Sequence, residues 1–384
     1  MELLSSLKKY AFKVERMSDS DFTFPVAKQK KIVSSFPEPR DDIERSYFQY
    51  KCQMKLNKPY IAFLINLGAL PLILYLFAKR QNRSYIVRKC DAVFLSEGIP
   101  EHVIPDELRS EYGEWTIIND HEFTLLKDDR KFIRQLFRRY PFSWHLLLKS
   151  IIKIGYYRNE IEAYKPSAIV VCGEYSFTSS ILTAYCNTMG IKHIDVMHGE
   201  KYYYMRDSFF HFDRCYVWDE YYKTLFLSLR AEGTQFIVNT PRSMYFSKGN
   251  VVEKTVDYTY YLGGEDNETL LNIANSMKRL KEKGNHVVVR AHPRYSDPKV
   301  VGDIFKGLQL EDSTNVDIEE SVLRTRNAVS GSSTVLNQAY HNNVQVVIDD
   351  ISNPDKYNKL SELQYIMLNV KHKLLSEVMS DGVE

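Results

Sequence analysis

The sequence lacks any means of forming a disulfide scaffold or a zinc site. Its 384 residues contain five cysteines, Cys52, Cys90, Cys172, Cys186 and Cys215, odd in number, widely spaced and without a C-x-x-C or Cys/His cluster. That excludes structural zinc and points to a reducing, cytosolic setting. Excess charge of one sign is also lacking. With 51 Lys+Arg against 49 Asp+Glu the net charge is +2, which argues against a nucleic-acid partner. The first 20 residues carry charges inside their apolar pattern, so no signal-peptide core is expected there. Repeats and low-complexity segments are missing. Glycine is absent from residues 1–57, which hold 11 basic and 8 acidic residues and a proline-punctuated FPEPRDD from Phe36 to Asp42. This segment reads as an N-terminal extension.

Long apolar runs are scarce, with one exception. Ile61 to Ala78 carries no charge over 18 residues, close to the lower limit for a membrane-spanning helix. Asn66, Gly68 and Pro71 interrupt it, and they predict a strand over Tyr60–Ile65, a turn at Gly68 and a helix with Pro71 in its first turn. An interfacial membrane element and a true span are the alternatives.

What is present is a globular composition, 44% apolar and 26% charged, in a chain long enough for two domains. From Tyr60 onward strand and helix patterns alternate, which implies parallel sheets. Strands are expected at Asp91–Leu95, Trp115–Ile118, Ala168–Cys172 and His193–Met197, and in a second series at Tyr258–Leu262, Asn285–Ala291, Asn327–Val329 and Val344–Ile348. Helices are expected near 178–189, 268–283, 299–308, 318–324 and 334–341. The expected organisation is an extension over 1–57 and two α/β units, 58–240 and 241–384.

Ligands of such folds bind beyond the C-terminal ends of the strands, and two groups of residues fall there. In the second unit His292, Pro293 and Arg294 leave one strand together, and Ser330-Gly331-Ser332-Ser333-Thr334 joins another strand to a helix. Backbone N–H groups and hydroxyls at a helix N-terminus suit a phosphate; an ordinary N-cap is the plainer alternative. Gly263-Gly264 would allow close backbone approach after the first strand of this unit. In the first unit Glu174 follows AIVVC, and His198-Gly199-Glu200 follows IKHIDVM. A carboxylate there is placed to act as a general base on an attacking hydroxyl, with His198 orienting it.

HVVVRAHPR followed by AVSGSSTVLNQAYHNNVQVVI resembles the nucleotide-binding half of GT-B glycosyltransferases, particularly the bacterial sialyltransferase-type families with His-Pro and Ser-Ser motifs. The likeness covers about residues 255–350. It implies two Rossmann-like doubly wound domains facing a central cleft. It also implies a nucleotide contacted by His292, Ser332 and Ser333, with CMP as the nucleotide. Those families carry their base in an acidic-acidic-Gly motif, and Ser96-Glu97-Gly98 is the nearest fragment here, so Glu97 stands as a further candidate beside Glu174 and Glu200. No D-x-D motif occupies a strand-flanked position, so neither a metal nor a resident cofactor is expected.

The resulting expectation is an inverting glycosyltransferase that moves a sugar from a nucleotide-sugar donor to a bacterial surface glycan or glycolipid acceptor, for capsule or lipooligosaccharide. A nucleotide-sugar 2-epimerase of the same superfamily is the alternative, and an inactive scaffold of a polysaccharide assembly complex is another. From Arg130 to Arg158 there are eight basic residues and no acidic one, interleaved with Phe132, Ile133, Leu136, Phe137, Trp144 and Leu146–Leu148. Two readings of this stretch stand. It lies on an anionic membrane at the inner face of the cell, or it turns its apolar positions to the core and its charges to water.

Overall fold

A computed structural model describes Ser6 and residues 24–78, 87–96, 98–119, 122–246 and 253–380. The chain divides into two compact units. One comprises the residues up to His198 together with Tyr203–Thr240, and the other comprises Gly199–Tyr202 and the chain from Pro241 onward.

The first unit holds a parallel six-stranded sheet in the order β2-β1-β3-β4-β5-β6. Its strands are β1 (Ala92–Leu95), β2 (Trp115–Ile118), β3 (Ala168–Val171), β4 (Lys192–Val196), β5 (Arg214–Val217) and β6 (Phe236–Val238). β1 and β3 are buried at every position, as apolar runs covered on both faces must be. Helices α1 (Val26–Ser34), α2 (Asp42–Met54), α3 (Pro59–Ala78), α4 (Asp106–Glu111), α5 (Lys127–Arg139), α6 (Trp144–Tyr164), α7 (Ser179–Asn187) and α8 (Glu220–Ser228) complete it. α1 and α2 belong to the N-terminal extension. Val33, Phe48 and Cys52 on these two helices share a small core with Met205 and Phe209.

The second unit carries a parallel sheet in the order β12-β11-β10-β7-β8-β9. The strands are β7 (Val256–Tyr261), β8 (Val287–Arg290), β9 (Gln309–Glu311), β10 (Thr325–Ser330), β11 (Gln345–Ile348) and β12 (Lys373–Leu374), with α9 (Asn267–Glu282), α10 (Pro298–Ile304), α11 (Ile318–Leu323), α12 (Thr334–His341), α13 (Pro354–Glu362) and α14 (Leu375–Ser380) around them. Its core gathers Ile273 and Met277 of α9 with Val289, Phe305, Val329 and Val347. The α/β class with two doubly wound parallel sheets is therefore what the chain adopts.

Two expectations are corrected. Tyr60–Ile65 is not a strand: the whole apolar run is one 20-residue helix, α3, with Pro71 inside it. The polar break has a tertiary use. Asn66 Oδ1 accepts the His145 amide at 3.0 Å, and its Nδ2 donates to the Phe142 carbonyl at 2.9 Å, which ties α3 to the start of α6. The basic stretch 130–158 is likewise not one surface. It divides at residues 140–143 into α5 and α6; Lys153 and Arg158 of α6 are buried, whereas Lys131, Arg134 and Arg138 of α5 are exposed. All five cysteines are free and buried.

Candidate functional site

In a doubly wound sheet the neighbouring strands whose connections leave in opposite directions open a crevice at their C-terminal ends. In the second sheet these strands are β7 and β10. β7 runs on to β8 and β9 on one side, and β10 to β11 and β12 on the other. Gly263-Gly264 follows β7, His292 follows β8, and Gly331-Ser332-Ser333 follows β10. The sequence-predicted nucleotide residues thus lie along one edge of one sheet.

Hydrogen bonds fix the chemistry of His292. Its Nδ1 accepts the backbone N–H groups of Arg294 at 3.0 Å and Tyr295 at 3.2 Å, so the ring proton sits on Nε2. Burial and then the Arg294 charge hold its pKa below the ordinary value, which keeps the ring neutral near pH 7. The ring stacks on Tyr295, with centroids 4.4 Å apart. Ser296 Oγ accepts the His292 N–H at 2.9 Å and donates to the Gly263 carbonyl at 3.3 Å, joining the loops after β8 and β7. A Cβ on Gly264 would stand 3.5 Å from that of Tyr295.

Ser333 is the N-cap of α12: its Oγ accepts the Val335 N–H at 3.2 Å. Ser332 is half-buried and Thr334 exposed at the helix start; Pro293 and Arg294 are exposed. Beside them a narrow pocket is lined by Tyr260, Glu265, Gly331, Asp349 and Lys356 among others. The Tyr260 hydroxyl donates to Asp349 at 2.8 Å. These residues carry no short motif, and only Gly331 among them is marked by the sequence pattern.

Glu200 belongs to this second unit although it follows β4 in the chain. Gly199 turns there with φ +69°, a left-handed conformation that glycine adopts at low cost. One Glu200 carboxyl oxygen receives Asn337 Nδ2 at 3.3 Å. Burial pushes the carboxyl up to about 7, while the hydrogen bonds from Asn337 and Tyr202 pull the other way. Asn337 lies on α12 four residues after Ser333, so the carboxylate stands one helical turn from the start of that helix.

In the first unit Glu174 is fully buried after β3. Gln49 and Gln53, one turn apart on α2, hold its loop. Gln49 donates to the carbonyls of Glu174 and Arg206, each at 2.9 Å, and Gln53 donates to those of Tyr175 at 2.8 Å and Arg206 at 3.0 Å. Burial opposes the Arg206 charge, but Asp207, Tyr204 and Glu174 together raise its pKa. His198 is half-buried, its ring 6.3 Å from that of Tyr175. Glu97 lies outside the described residues. β1 and β3 are the diverging strands of this sheet, and at their C-terminal ends is a narrow pocket lined by Ser96, Lys153, Tyr157, Cys172, Gly173 and Tyr175 among others. Lys153 is buried and donates to Ser176 Oγ at 3.0 Å. In sequence it is one more base in a basic helix, and only the fold turns it inward.

No protein-family model matches this sequence, and no curated protein does. Among solved structures the chain is similar to the UDP-GlcNAc 2-epimerase from Neisseria meningitidis bound to UDP-GlcNAc, at 14% identity and TM-score 0.41 over 71% of this chain and 85% of that one. A putative UDP-N-acetylglucosamine 2-epimerase from Listeria monocytogenes matches at 12% identity and TM-score 0.44, over 71% and 82%. CalG4, the calicheamicin glycosyltransferase, matches at 12% identity and TM-score 0.41, over 75% and 86%.

Proposed function

We propose that the protein is a nucleotide-sugar enzyme of GT-B type, a metal-independent, inverting glycosyltransferase whose second unit holds the donor. The observation that supports this reading is the placement of Ser333, Gly263 and His292 after the neighbouring strands β10, β7 and β8, with the start of α12 and a proton on His292 Nε2. Neutral donors and a helix N-terminus stabilise charge that gathers on a departing phosphate. In the step proposed, an acceptor hydroxyl oxygen bonds to the anomeric carbon. The bond from that carbon to the phosphate oxygen breaks, its electron pair leaving with the nucleotide, and the hydroxyl proton passes to Glu200. A carboxyl with a pKa of about 7 is a stronger base than an ordinary glutamate. Glu174, enclosed beside Arg206, suits a supporting charge better than a group meeting the acceptor.

A transferase needs a second ligand site, and the C-terminal ends of β1 and β3, beside Lys153, are where such a sheet would offer one. The likeness of His292-Pro293 and Ser332-Ser333 to the CMP-binding motifs makes a CMP-sugar the first donor to try. A second reading, a nucleotide-sugar 2-epimerase, is favoured by the same property of Glu200, since a group that titrates near neutrality can both take and return a proton on one substrate. Thermal-shift titration against CMP, CDP, UDP, GDP and ADP, followed by incubation with the matching nucleotide-sugar without acceptor, tests these readings. Stabilisation by CMP and no turnover until acceptor is added favours the transferase. A UDP-selective shift with a 2-epimer or free UDP formed alone favours the epimerase. No shift with any nucleotide removes both and leaves a scaffold.

A further inference from the structure

Helix α3 presents an apolar stripe that is exposed among the described residues. Tyr60, Phe63, Leu64, Leu67, Leu74 and Tyr75 are each 40 to 65% exposed. Their spacing puts them on one face of the helix together with exposed Gly68 and Pro71. The opposite face is Ala69, Ile73 and Leu76, all buried, and α3 packs along α6. Asn66 adds its hydrogen bonds to His145 and Phe142. The helix therefore lies along the unit, held on one side and bare on the other.

The charges at its border are positive. Lys58 is exposed where the helix begins. Phe77 meets Phe137 of α5 with ring centroids 6.2 Å apart, and exposed Arg134 and Arg138 flank Phe137 on that helix. Tyrosines stand toward both ends of the stripe. An apolar helix face with aromatic ends and a basic border is matched by the boundary between anionic headgroups and acyl chains. A second copy of the chain set face to face on this stripe would bring the two basic borders together, which opposes self-association.

We infer that α3 seats the protein on an anionic lipid bilayer, lying in the membrane plane with Phe63, Leu64, Leu67 and Leu74 among the acyl chains and Lys58, Arg134 and Arg138 at the headgroups. The attachment is in-plane because the buried face and Asn66 keep the helix on its unit, which a membrane-spanning orientation would strip away. This inference is independent of which sugar reaction the protein performs.

The test uses the full chain, sedimented with vesicles of phosphatidylcholine alone or mixed with phosphatidylglycerol. Binding to the mixed vesicles, weakened several-fold without phosphatidylglycerol or at high salt, is expected. Leu64→Glu with Leu74→Glu should lower that binding by roughly tenfold or more, with the circular dichroism spectrum unchanged because both positions are exposed. Arg134→Glu with Arg138→Glu should remove the preference for phosphatidylglycerol while leaving residual binding. Failure of the folded, monodisperse protein to bind mixed vesicles would overturn the inference, as would unchanged binding by the Leu64/Leu74 variant. A lipid-free dimer that the same variant dissolves would overturn it too, assigning the stripe to a second copy.

Discussion

The Asn337 side-chain amide donates to the Glu200 carboxyl at 3.3 Å, across 137 positions of sequence, and so joins the loop after β4 to the helix that begins at Ser333. Because Asn337 sits one turn into α12, any anion held at the start of that helix has a carboxyl close at hand whose pKa is about 7. Glu200→Gln keeps the shape and removes the proton acceptor. Turnover is expected to fall by about a hundredfold or more, with nucleotide binding retained.

The same substitution has a signature in stability. The folded-state pKa of Glu200 is raised from 4.5 to about 7, so burial is least costly while the group stays protonated. That favourable contribution is complete below pH 4.5 and disappears as pH rises through 7. At pH 8 Glu200→Gln should therefore be more stable than the parent, by up to roughly 3 kcal/mol. At pH 4.5 the two should be equal. Denaturant midpoints at the two pH values measure the difference, and an unchanged difference would remove the case for a raised pKa.

Removing His292 tests the nucleotide site without touching the core. The ring is half-buried on a loop, and its Nδ1 accepts two loop amides, so His292→Ala loses both the Nε2 donor and the loop's anchor. His292→Asn restores an acceptor for those amides and not the outward donor. Nucleotide affinity should fall roughly tenfold in both variants, as loss of a hydrogen bond to a charged group predicts. Ser333→Ala should weaken it as well through loss of the cap, at a helix cost of about 1 kcal/mol. Calorimetric titration with the nucleotide that shifts the parent checks all three.

Much of the fold is legible because parallel strands buried on both faces become short apolar runs. Ala92–Leu95, Ala168–Val171 and Val287–Arg290 are buried at every position, and their sequences read that way. Arg214–Val217 escapes the pattern because an arginine opens it and Phe236–Val238 because it spans only three residues. The run 60–78 misleads for a different reason. Asn66 resembles a turn residue locally, and its purpose is visible only in the partners it finds near residue 142 on another helix. The positions of His292, Gly263 and Ser333 are legible because each lies two or three residues past the end of a recognisable strand. Asn337 and Lys153 are not, since a polar residue within a helix gives no sign of whether it faces water or a buried partner far along the chain.

Buried histidines set the response to acid. His193 is fully buried, with Tyr157 Oη 2.9 Å from its Nε2 and Thr183 Oγ1 2.8 Å from its Nδ1. Thr183 donates its own proton to a carbonyl, that of His211 at 2.8 Å, so Nδ1 carries the ring proton and Nε2 accepts from Tyr157. A second proton has no place to go. Burial pushes His193 and His145 down to about 3. As pH falls below 6.5 the unfolded chain takes up protons that the folded chain refuses, and stability declines by about 1.4 kcal/mol per pH unit for each group. Unfolding of the first unit followed between pH 7.5 and 5 should show this slope, and His193→Gln should remove about half of it. A flat profile in the parent would contradict the buried neutral state.

Asp129 is the acceptor on which the packing of α5, α6 and α7 converges. Its Oδ1 takes Arg158 Nε at 2.8 Å, Arg158 Nη2 at 2.6 Å and the Tyr185 hydroxyl at 2.6 Å, and its Oδ2 takes the Leu126 amide at 2.6 Å. The carboxylate is fully buried. Removing it leaves a phenol and an amide in the interior without their acceptor and the Arg158 guanidinium with Glu162 alone, so Asp129→Ala should cost about 3–5 kcal/mol. Asp129→Asn should cost less: one oxygen still receives Arg158, but the amide nitrogen now faces the Leu126 N–H, donor against donor. Asp129→Leu combined with Arg158→Met and Tyr185→Phe removes every polar side chain of the cluster at once and leaves only the Leu126 N–H without its acceptor, so most of the desolvation cost is gone. That triple variant should recover most of the loss in Asp129→Ala. If the triple variant were instead as unstable as the alanine, the cost would belong to packing volume rather than to buried charge.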